Sequence, residues 1–305
     1  MSTCTTLSRE LIEPMSGTAA TGATWLLLEQ PGPWGAKALT QSHLDPEFGR
    51  ALEARAKGTG LRIALIRRPG RHADAPPAPS RQVYLAHTAP GRSWIRELVL
   101  DDPAELLGYD FAALAAGDHG GIGQEYRGEP LALVCTNGRR DRCCALLGRP
   151  LAAELAASGH AQVWEVTHLG GHRFSPTMLV LPYGYAYGRM SAHTAKEILG
   201  ATREGRMVPE WCRGRSSWDR PCQAAELAVR EQIGEDLAEA LTVRQTPVDA
   251  DTWSVTVAHG DGRSWTVRVH RSAAEPARSE SCLKLPTNPD RYDVDTGGLF
   301  VQTAK

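Results

Sequence analysis

The sequence has 305 residues, enough for one large domain or two ordinary domains that each bury a core. Its 42% apolar and 23% charged residues are typical of a soluble globular protein. Basic and acidic residues nearly balance, 34 against 35, so no overall positive charge favours nucleic-acid binding. No apolar run approaches the roughly 18 residues of a membrane helix, and the N-terminal residues lack the pattern of a secretory signal. We therefore expect a cytoplasmic protein with no nucleic-acid and no membrane partner.

The first half of the chain alternates predicted strands with predicted helices. Short apolar segments predict four strands, at residues 25–28, 61–66, 82–86 and 93–100. Asp45 and Asp102 are each followed by proline and predict helix starts, because aspartate is a good N-cap and proline suits the first helical turn. These two helices are expected to end near residues 56 and 115. Residues 1–116 are therefore predicted to form one α/β domain.

A second run of alternating elements follows a glycine-rich segment at 116–128, which is the best candidate for a linker. Residues 131–134 predict a buried strand that delivers Cys135 at its end. Residues 162–167 predict another strand, which delivers His168. A helix connects the two strands, so they are expected to run parallel with their carboxyl ends at one edge of the sheet. The loops that follow the two strands should therefore lie close together.

Further elements are predicted around this pair of strands. The connecting helix should run from about Cys144 to Ala157, with an interruption or kink near Pro150. Downstream patterns predict a hairpin around Pro182–Gly184, helices at 192–199 and 222–241, and a second hairpin around Gly260–Gly262. The chain then divides into the first α/β domain, a second α/β domain at 129–245, and a C-terminal β-hairpin and tail at 246–305.

Two cysteines and two histidines in the second domain are the candidate ligands of a metal centre. Eight residues separate Cys135 from Cys144, and three separate His168 from His172. Thiolates and imidazoles together favour zinc, copper(I) or iron–sulfur iron. A zinc finger usually has its cysteines only two to four residues apart. The wider loop also fits a two-iron cluster in which one iron has two thiolate ligands and the other has two imidazoles. Spacing alone leaves zinc and an iron–sulfur cluster open.

Three segments resemble the sucrase/ferredoxin-like family. They are CTNGRRDRCC at Cys135–Cys144, VWEVTHLGGHRF at Val163–Phe174 and WLLLEQPGPWG at Trp25–Gly35. The resemblance implies that the second domain is a thioredoxin-like ferredoxin with one [2Fe–2S] cluster, held by Cys135, Cys144, His168 and His172. Cys143 makes the second cysteine ligand ambiguous, and the family spacing favours Cys144.

The resemblance implies an electron carrier rather than a catalyst, with an unidentified redox protein as donor and another as acceptor. No pair of carboxylates in the sequence suggests sugar hydrolysis. Two other hypotheses remain open: a structural zinc ion in the same Cys2His2 set, and a thiol redox enzyme that uses Cys143 and Cys144. Cys4 and Cys282 are isolated in the sequence and are interpreted as small buried or terminal thiols.

Overall fold

The computed structural model describes residues 3–70, 72, 79–159, 162–282, 284–297 and 302–303. Its strands form a mixed sheet of ten strands and an antiparallel sheet of five. The predicted α/β class is therefore confirmed. None of the helices in these ranges has both the length and the apolar character that crossing a membrane requires.

The N-terminal part of the large sheet begins with two parallel strands joined through a helix. Its strands are β1 (Thr24–Glu29), β2 (Leu61–Arg67), β3 (Arg81–His87), β4 (Trp94–Leu100) and β5 (Gln124–Glu125), and its helices are α1 (Cys4–Glu10), α2 (Pro46–Ala56) and α3 (Phe111–Ala116). Strand β2 runs parallel to β1, whereas β3 is antiparallel to β1 and β4 is antiparallel to β3. The resulting order is β2-β1-β3-β4, and the short β5 from the predicted linker extends it at the edge.

The first predicted helix is confirmed and the second is divided in two. Asp45 caps α2 by accepting hydrogen bonds from two backbone N–H groups, and the helix ends at Ala56 as predicted. The single helix predicted after Asp102 is wrong, because a 3-10 helix at Pro103–Gly108 ends before α3 begins. Gly108 is a poor helix former, and the Asp110 side chain caps a new helix by accepting from the next N–H groups.

The second part of the large sheet repeats the arrangement of the first. Its elements are β6 (Leu131–Cys135), α4 (Arg142–Ser158), β7 (Gln162–Val166), β8 (Met178–Leu181), β9 (Tyr185–Tyr187), α5 (Ala192–Arg203) and the edge strand β10 (Cys212–Arg215). Strand β7 runs parallel to β6, β8 is antiparallel to β6, and β9 is antiparallel to β8. The order β7-β6-β8-β9 therefore has the same strand directions as β2-β1-β3-β4.

The two parts join through the carboxyl ends of β2 and β7, which pair antiparallel through two residues of each strand. Arg67 and Glu165 face each other there as a buried ion pair, with nitrogen and oxygen 2.7 Å apart and each side chain 3% exposed. The hydroxyl of Thr136 donates a further hydrogen bond to Glu165. Strands β1–β4 and β6–β10 thus share one continuous sheet, and the division of the chain into separate domains at 1–116 and 129–245 stays a prediction.

Helix α4 runs unbroken from Arg142 to Ser158, and Gly159 ends it in the left-handed conformation. The helix is therefore not interrupted at Pro150, and the alternative of a kink there stays a prediction. Proline removes the hydrogen bond that would reach the carbonyl of Leu146. Both Pro150 and Leu146 are exposed, so the freed carbonyl lies on the solvent side of the helix, where its loss of a partner costs little.

The C-terminal part packs one helix against the five-stranded sheet. Its elements are α6 (Arg220–Ile233), β11 (Leu241–Pro247), β12 (Thr252–His259), β13 (Arg263–Ala273), β14 (Asp290–Asp295) and β15 (Gln302–Thr303). The predicted β12–β13 hairpin is confirmed and forms the centre of this sheet. The helix predicted to reach Leu241 is wrong, because Gly234 ends α6 in the left-handed conformation and Leu241 begins β11.

Candidate metal centre

Cys135 is the last residue of β6, and its thiol is completely buried. Helix α4 packs directly on this strand end. A Cβ atom added to Gly148 would lie 2.2 Å from the Cys135 carbonyl oxygen, so only glycine permits this approach. The side chain of Cys144 lowers the pKa of Cys135 by hydrogen bonding, as do the backbone N–H groups of Leu169 and Asn137, although burial opposes them. Two loops thus supply donors to one buried sulfur.

Cys144 lies in the first turn of α4 and is fully buried. Asp141 is the N-cap of the helix and accepts a hydrogen bond from the backbone N–H of Cys143. Because the helix begins here, Cys144 points back toward the strand ends. Its Sγ atom lies 3.2 Å from Nδ1 of His172. Hydrogen bonding to Cys135 and burial raise the pKa of Cys144, whereas the pKa of Cys135 is lowered, so Cys135 is the thiol of the pair that loses its proton more readily.

His168 follows β7, and the first part of the sheet fixes its position. The backbone N–H of Thr167 donates to the Leu65 carbonyl at 3.0 Å, and the Thr167 hydroxyl accepts from the Leu65 N–H at 3.2 Å. The rings of His168 and His172 lie with their centroids 5.0 Å apart and their planes tilted by 30°. The N-terminal part of the chain therefore supports the loop at 168–172, which we call the histidine loop.

Both imidazoles are held in the neutral form that metal ligation requires. Burial lowers the pKa of His168 to about 3, and the nearby charges of His172 and Arg140 add to that effect. Burial also lowers the pKa of His172, although the carboxylate of Asp141 opposes it. Nδ1 of His168 is buried without a hydrogen-bond partner among the described residues. An unpartnered buried nitrogen is costly, and a metal ligand bond would satisfy it.

Arg213 is a residue of this site that the sequence analysis missed. Its side chain is buried and donates hydrogen bonds to the carbonyls of Thr18 and Gly170. Gly170 and Gly171 have φ of 73° and 69°, which favour glycine, and a Cβ on Gly171 would lie 2.2 Å from Nη2 of Arg213. Burial lowers the pKa of Arg213 to about 9, while Cys135 is among the groups that favour its charge. No motif marks it, since it comes from the distant edge strand β10.

The adjacent thiols of Cys143 and Cys144 contact different groups of side chains. Sγ of Cys143 lies 3.6 Å from that of Cys4 and 3.2 Å from that of Cys282. The interpretation of Cys4 and Cys282 as isolated thiols is therefore wrong. No sequence signal could have joined them, because 139 positions separate Cys143 from each of the other two. We call Cys4, Cys143 and Cys282 the three-cysteine cluster.

Asp141 lies between this cluster and the predicted ligand set. Two groups within the described ranges have all their possible ligand atoms within 4.8 Å of one another: Cys4, Asp141, Cys143 and Cys282, and Asp141, Cys144 and His172. Backbone N–H groups and the Ser281 hydroxyl lower the pKa of Asp141 against an opposing effect of burial, so its carboxylate is ionised. The thiols, imidazoles and carboxylate have the chemistry to hold a thiophilic metal.

The fold and this site define an α/β protein with a candidate metal centre between two loops at the strand ends. The chain belongs to the sucrase/ferredoxin-like family, whose family model matches residues 15–214. The predicted resemblance is therefore confirmed. All four predicted ligands lie within the matched residues, whereas Cys4 and Cys282 lie outside them. Comparisons with curated proteins and with solved structures found no match.

Proposed function

We propose that the chain binds one [2Fe–2S] cluster through Cys135, Cys144, His168 and His172, and carries single electrons between two redox proteins. Such a cluster, when bound, accepts and releases one electron. The observation that carries the proposal is the arrangement of the four residues as a thiol pair beside an imidazole pair. Cys144 and Cys135 lie close enough for each to shift the pKa of the other, and the two histidine rings lie side by side. Each pair suits one iron of a two-iron cluster.

The spread of the four side chains supports a cluster over a single ion. In a tetrahedral zinc site the ligand atoms lie only about 3.8 Å from one another. Cys144 and His172 share a group of ligand atoms within 4.8 Å, but Cys135 and His168 belong to no such group in the described part of the chain. A larger inorganic unit can bridge that spread.

The strand order supports the thioredoxin-like part of the proposal. A parallel β6–α4–β7 unit followed by the β8–β9 hairpin and α5 is the arrangement that this prediction requires. The cysteine ligands then belong to the strand end and helix start of one loop, and the histidines follow the neighbouring strand. All seven cysteines are free thiols, which is in keeping with a reducing compartment such as the cytoplasm.

The side chains around the site would set its potential and its partner. The buried guanidinium of Arg213 lies close enough to Cys135 for each to influence the other's charge, and a positive charge there favours the reduced state. Arg139, Arg140 and Arg142 are exposed on the loop that carries the cysteines. Exposed positive charges of this kind steer an acidic partner toward the site.

Visible and EPR spectra of anaerobically purified protein test the proposal. We expect a red-brown protein with about two iron atoms and two sulfides per chain, and a signal on one-electron reduction. Cys144→Ala should remove the iron and the colour. Cys143→Ala is the matched control, since it is the neighbouring residue in the same helical turn and points away from His172. Loss of iron in Cys143→Ala with retention in Cys144→Ala would assign the ligand role to Cys143.

A structural zinc ion is the second candidate, and the grouping of Asp141, Cys144 and His172 favours it. The Asp141 carboxylate already accepts hydrogen bonds from the N–H groups of Cys143 and Cys282 and from the Ser281 hydroxyl. Those bonds fix the carboxylate in place beside Cys144 and His172. Zinc protein is colourless, so the spectra above distinguish the two candidates.

A further inference from the structure

We propose that the three-cysteine cluster is a second metal site, which takes one zinc ion and joins the N-terminal segment to the segment around Cys282. The proposal does not depend on the [2Fe–2S] assignment, because none of the three cysteines belongs to the proposed cluster ligands. Cys4 begins α1, Cys143 lies in the first turn of α4, and Cys282 lies in the segment that precedes β14. Three segments remote in sequence thus bring their thiols to one point.

The sulfur atoms form a nearly equilateral triangle. The Sγ–Sγ distances are 3.6 Å for Cys4–Cys143, 3.4 Å for Cys4–Cys282 and 3.2 Å for Cys143–Cys282. With zinc–sulfur bonds of about 2.3 Å in a tetrahedron, two ligand sulfurs lie about 3.8 Å apart. An outward shift of a few tenths of an ångström would therefore give each thiolate its place around one zinc ion.

Asp141 can complete the tetrahedron. Its Oδ2 atom lies 4.0 Å from Sγ of Cys4, and the carboxylate and the three sulfurs lie within 4.8 Å of one another. The hydroxyl of Ser281 and the N–H of Cys282 donate to Oδ2 at 2.8 and 2.9 Å, which fixes the carboxylate beside the sulfurs. Four protein ligands make a closed site, the kind that zinc occupies in a structural role.

A metal explains the triangle better than a disulfide does. A disulfide joins two sulfurs at about 2.05 Å and leaves the third without a partner. The three distances here differ by only a few tenths of an ångström, so no pair is singled out. Zinc uses all three sulfurs, and its binding releases the protons that the thiols carry.

The second metal would hold the segments around Cys4 and Cys282 over the histidine loop. The hydroxyl of Thr5, beside Cys4, donates to the His172 carbonyl at 3.3 Å. Arg173 donates to Glu13 from the N-terminal segment and to Glu280 from the C-terminal one, each at 2.8 Å. A zinc ion bound by Cys4, Cys143 and Cys282 would fasten these same two segments together. Cys4 and Cys282 lie outside the residues that match the family, so this site extends beyond that match.

Metal analysis of full-length protein prepared in zinc-replete medium tests the proposal. We expect about one zinc ion per chain in the wild type. Cys4→Ser and Cys282→Ser should each lose most of that zinc and leave the iron content and visible spectrum unchanged. Cys222→Ser is the matched control, because Cys222 is a buried thiol like Cys4 and belongs to neither group of ligand atoms.

Several outcomes would overturn the proposal, and they differ from a failure of the [2Fe–2S] assignment. One is a wild type without zinc, and another is zinc that both serine variants retain. A disulfide within the cluster, seen as a wild-type mass that is lower by two hydrogen atoms before reduction, would also overturn it.

If the serine variants fail to fold, X-ray absorption at the zinc edge of the wild type decides. Three sulfur ligands at about 2.3 Å support the site, whereas two sulfurs with two imidazole nitrogens place the zinc among the Cys2His2 residues instead. The proposed [2Fe–2S] centre is tested independently, because its iron should be lost when Cys135 or Cys144 is replaced and not when Cys4 or Cys282 is replaced.

Discussion

Replacing Gly148 with alanine tests whether α4 must lie directly against the end of β6. The added Cβ would lie 2.2 Å from the Cys135 carbonyl oxygen and 3.5 Å from the methyl group of Thr136. Cys135 is held by the pairing of β6 with β7, and its N–H donates to the Thr177 carbonyl, so the strand end cannot yield cheaply. The helix must instead move away by about 1 Å to restore a normal contact.

Gly200→Ala provides a matched control for the size of this effect. Gly200 lies within α5, and no heavy atom would lie within 4 Å of its added Cβ. Both substitutions gain about 1 kcal/mol of helix propensity, so the difference between them isolates the steric cost. Overpacking against fixed backbone costs about 3 kcal/mol. We therefore expect Gly148→Ala to lower the free energy of unfolding by about 2 kcal/mol and Gly200→Ala to raise it by about 1 kcal/mol.

Urea denaturation of the metal-free variants measures both values, and iron analysis of the same proteins after anaerobic reconstitution measures the effect on the centre. Cys144 lies one helical turn before Gly148 and moves with the helix, so the iron content of Gly148→Ala should fall while that of Gly200→Ala stays at the wild-type level. If Gly148→Ala proved as stable as Gly200→Ala and bound iron fully, the close packing of α4 on Cys135 would be refuted.

Three further outcomes are expected. His168→Cys should keep iron and lower the midpoint potential in voltammetry, because the thiolate adds negative charge. Exchange of both histidines should lower the potential by an amount on the order of 100 mV or more. An unchanged potential would contradict the assignment of the histidines as iron ligands. Metal-free protein should lose stability as the pH falls below about 6.5, since the unfolded chain then takes up a proton that folded His168, with a pKa of about 3, does not. His168 alone should lower the free energy of unfolding by about 2 kcal/mol between pH 7 and pH 5 in urea denaturation. His168→Gln should reduce the slope by that amount and leave the contribution of His172, whose pKa burial also lowers. Arg213→Gln should lower the free energy of unfolding by about 3 kcal/mol, because the Thr18 and Gly170 carbonyls lose their donor. It should also lower the midpoint potential of the cluster. Arg142→Gln, at an exposed position, should change stability little.

Local signals in the sequence predicted much of the fold because each depends on neighbouring residues. The Asp45 cap and following proline fixed the start of α2, and alternation around Gly260–Gly262 located the β12–β13 hairpin. The two wrong helix predictions also concern signals from neighbouring residues. The division of the helix after Asp102 follows from a second cap at Asp110, and α6 ends at Gly234 because glycine there adopts positive φ. Both signals, Asp110 and Gly234, are visible in the sequence.

Long-range features could not be predicted in this way. Two parallel strands joined by one helix bring Cys135 and His168 to the same edge, so the candidate site follows from topology alone. Arg213 and the meeting of Cys4 with Cys282 depend on how distant segments fold back, and no spacing rule connects them. The joining of β2 to β7 rests on the buried pair Arg67–Glu165, whose members look like ordinary solvated charges in the sequence.

The two histidines differ in their access to solvent, and that difference has a consequence for the proposed electron transfer. His172 is only 9% exposed, and α1 and the segment around Glu280 cover its loop through Thr5 and Arg173. His168 lines a cavity of about 510 Å³ that opens to solvent, and Arg173 and Glu280 form part of the wall of that cavity. A redox partner cannot approach closely through the covered side without displacing the chain ends. If the chain carries electrons as proposed, they should therefore pass through the cavity that His168 lines.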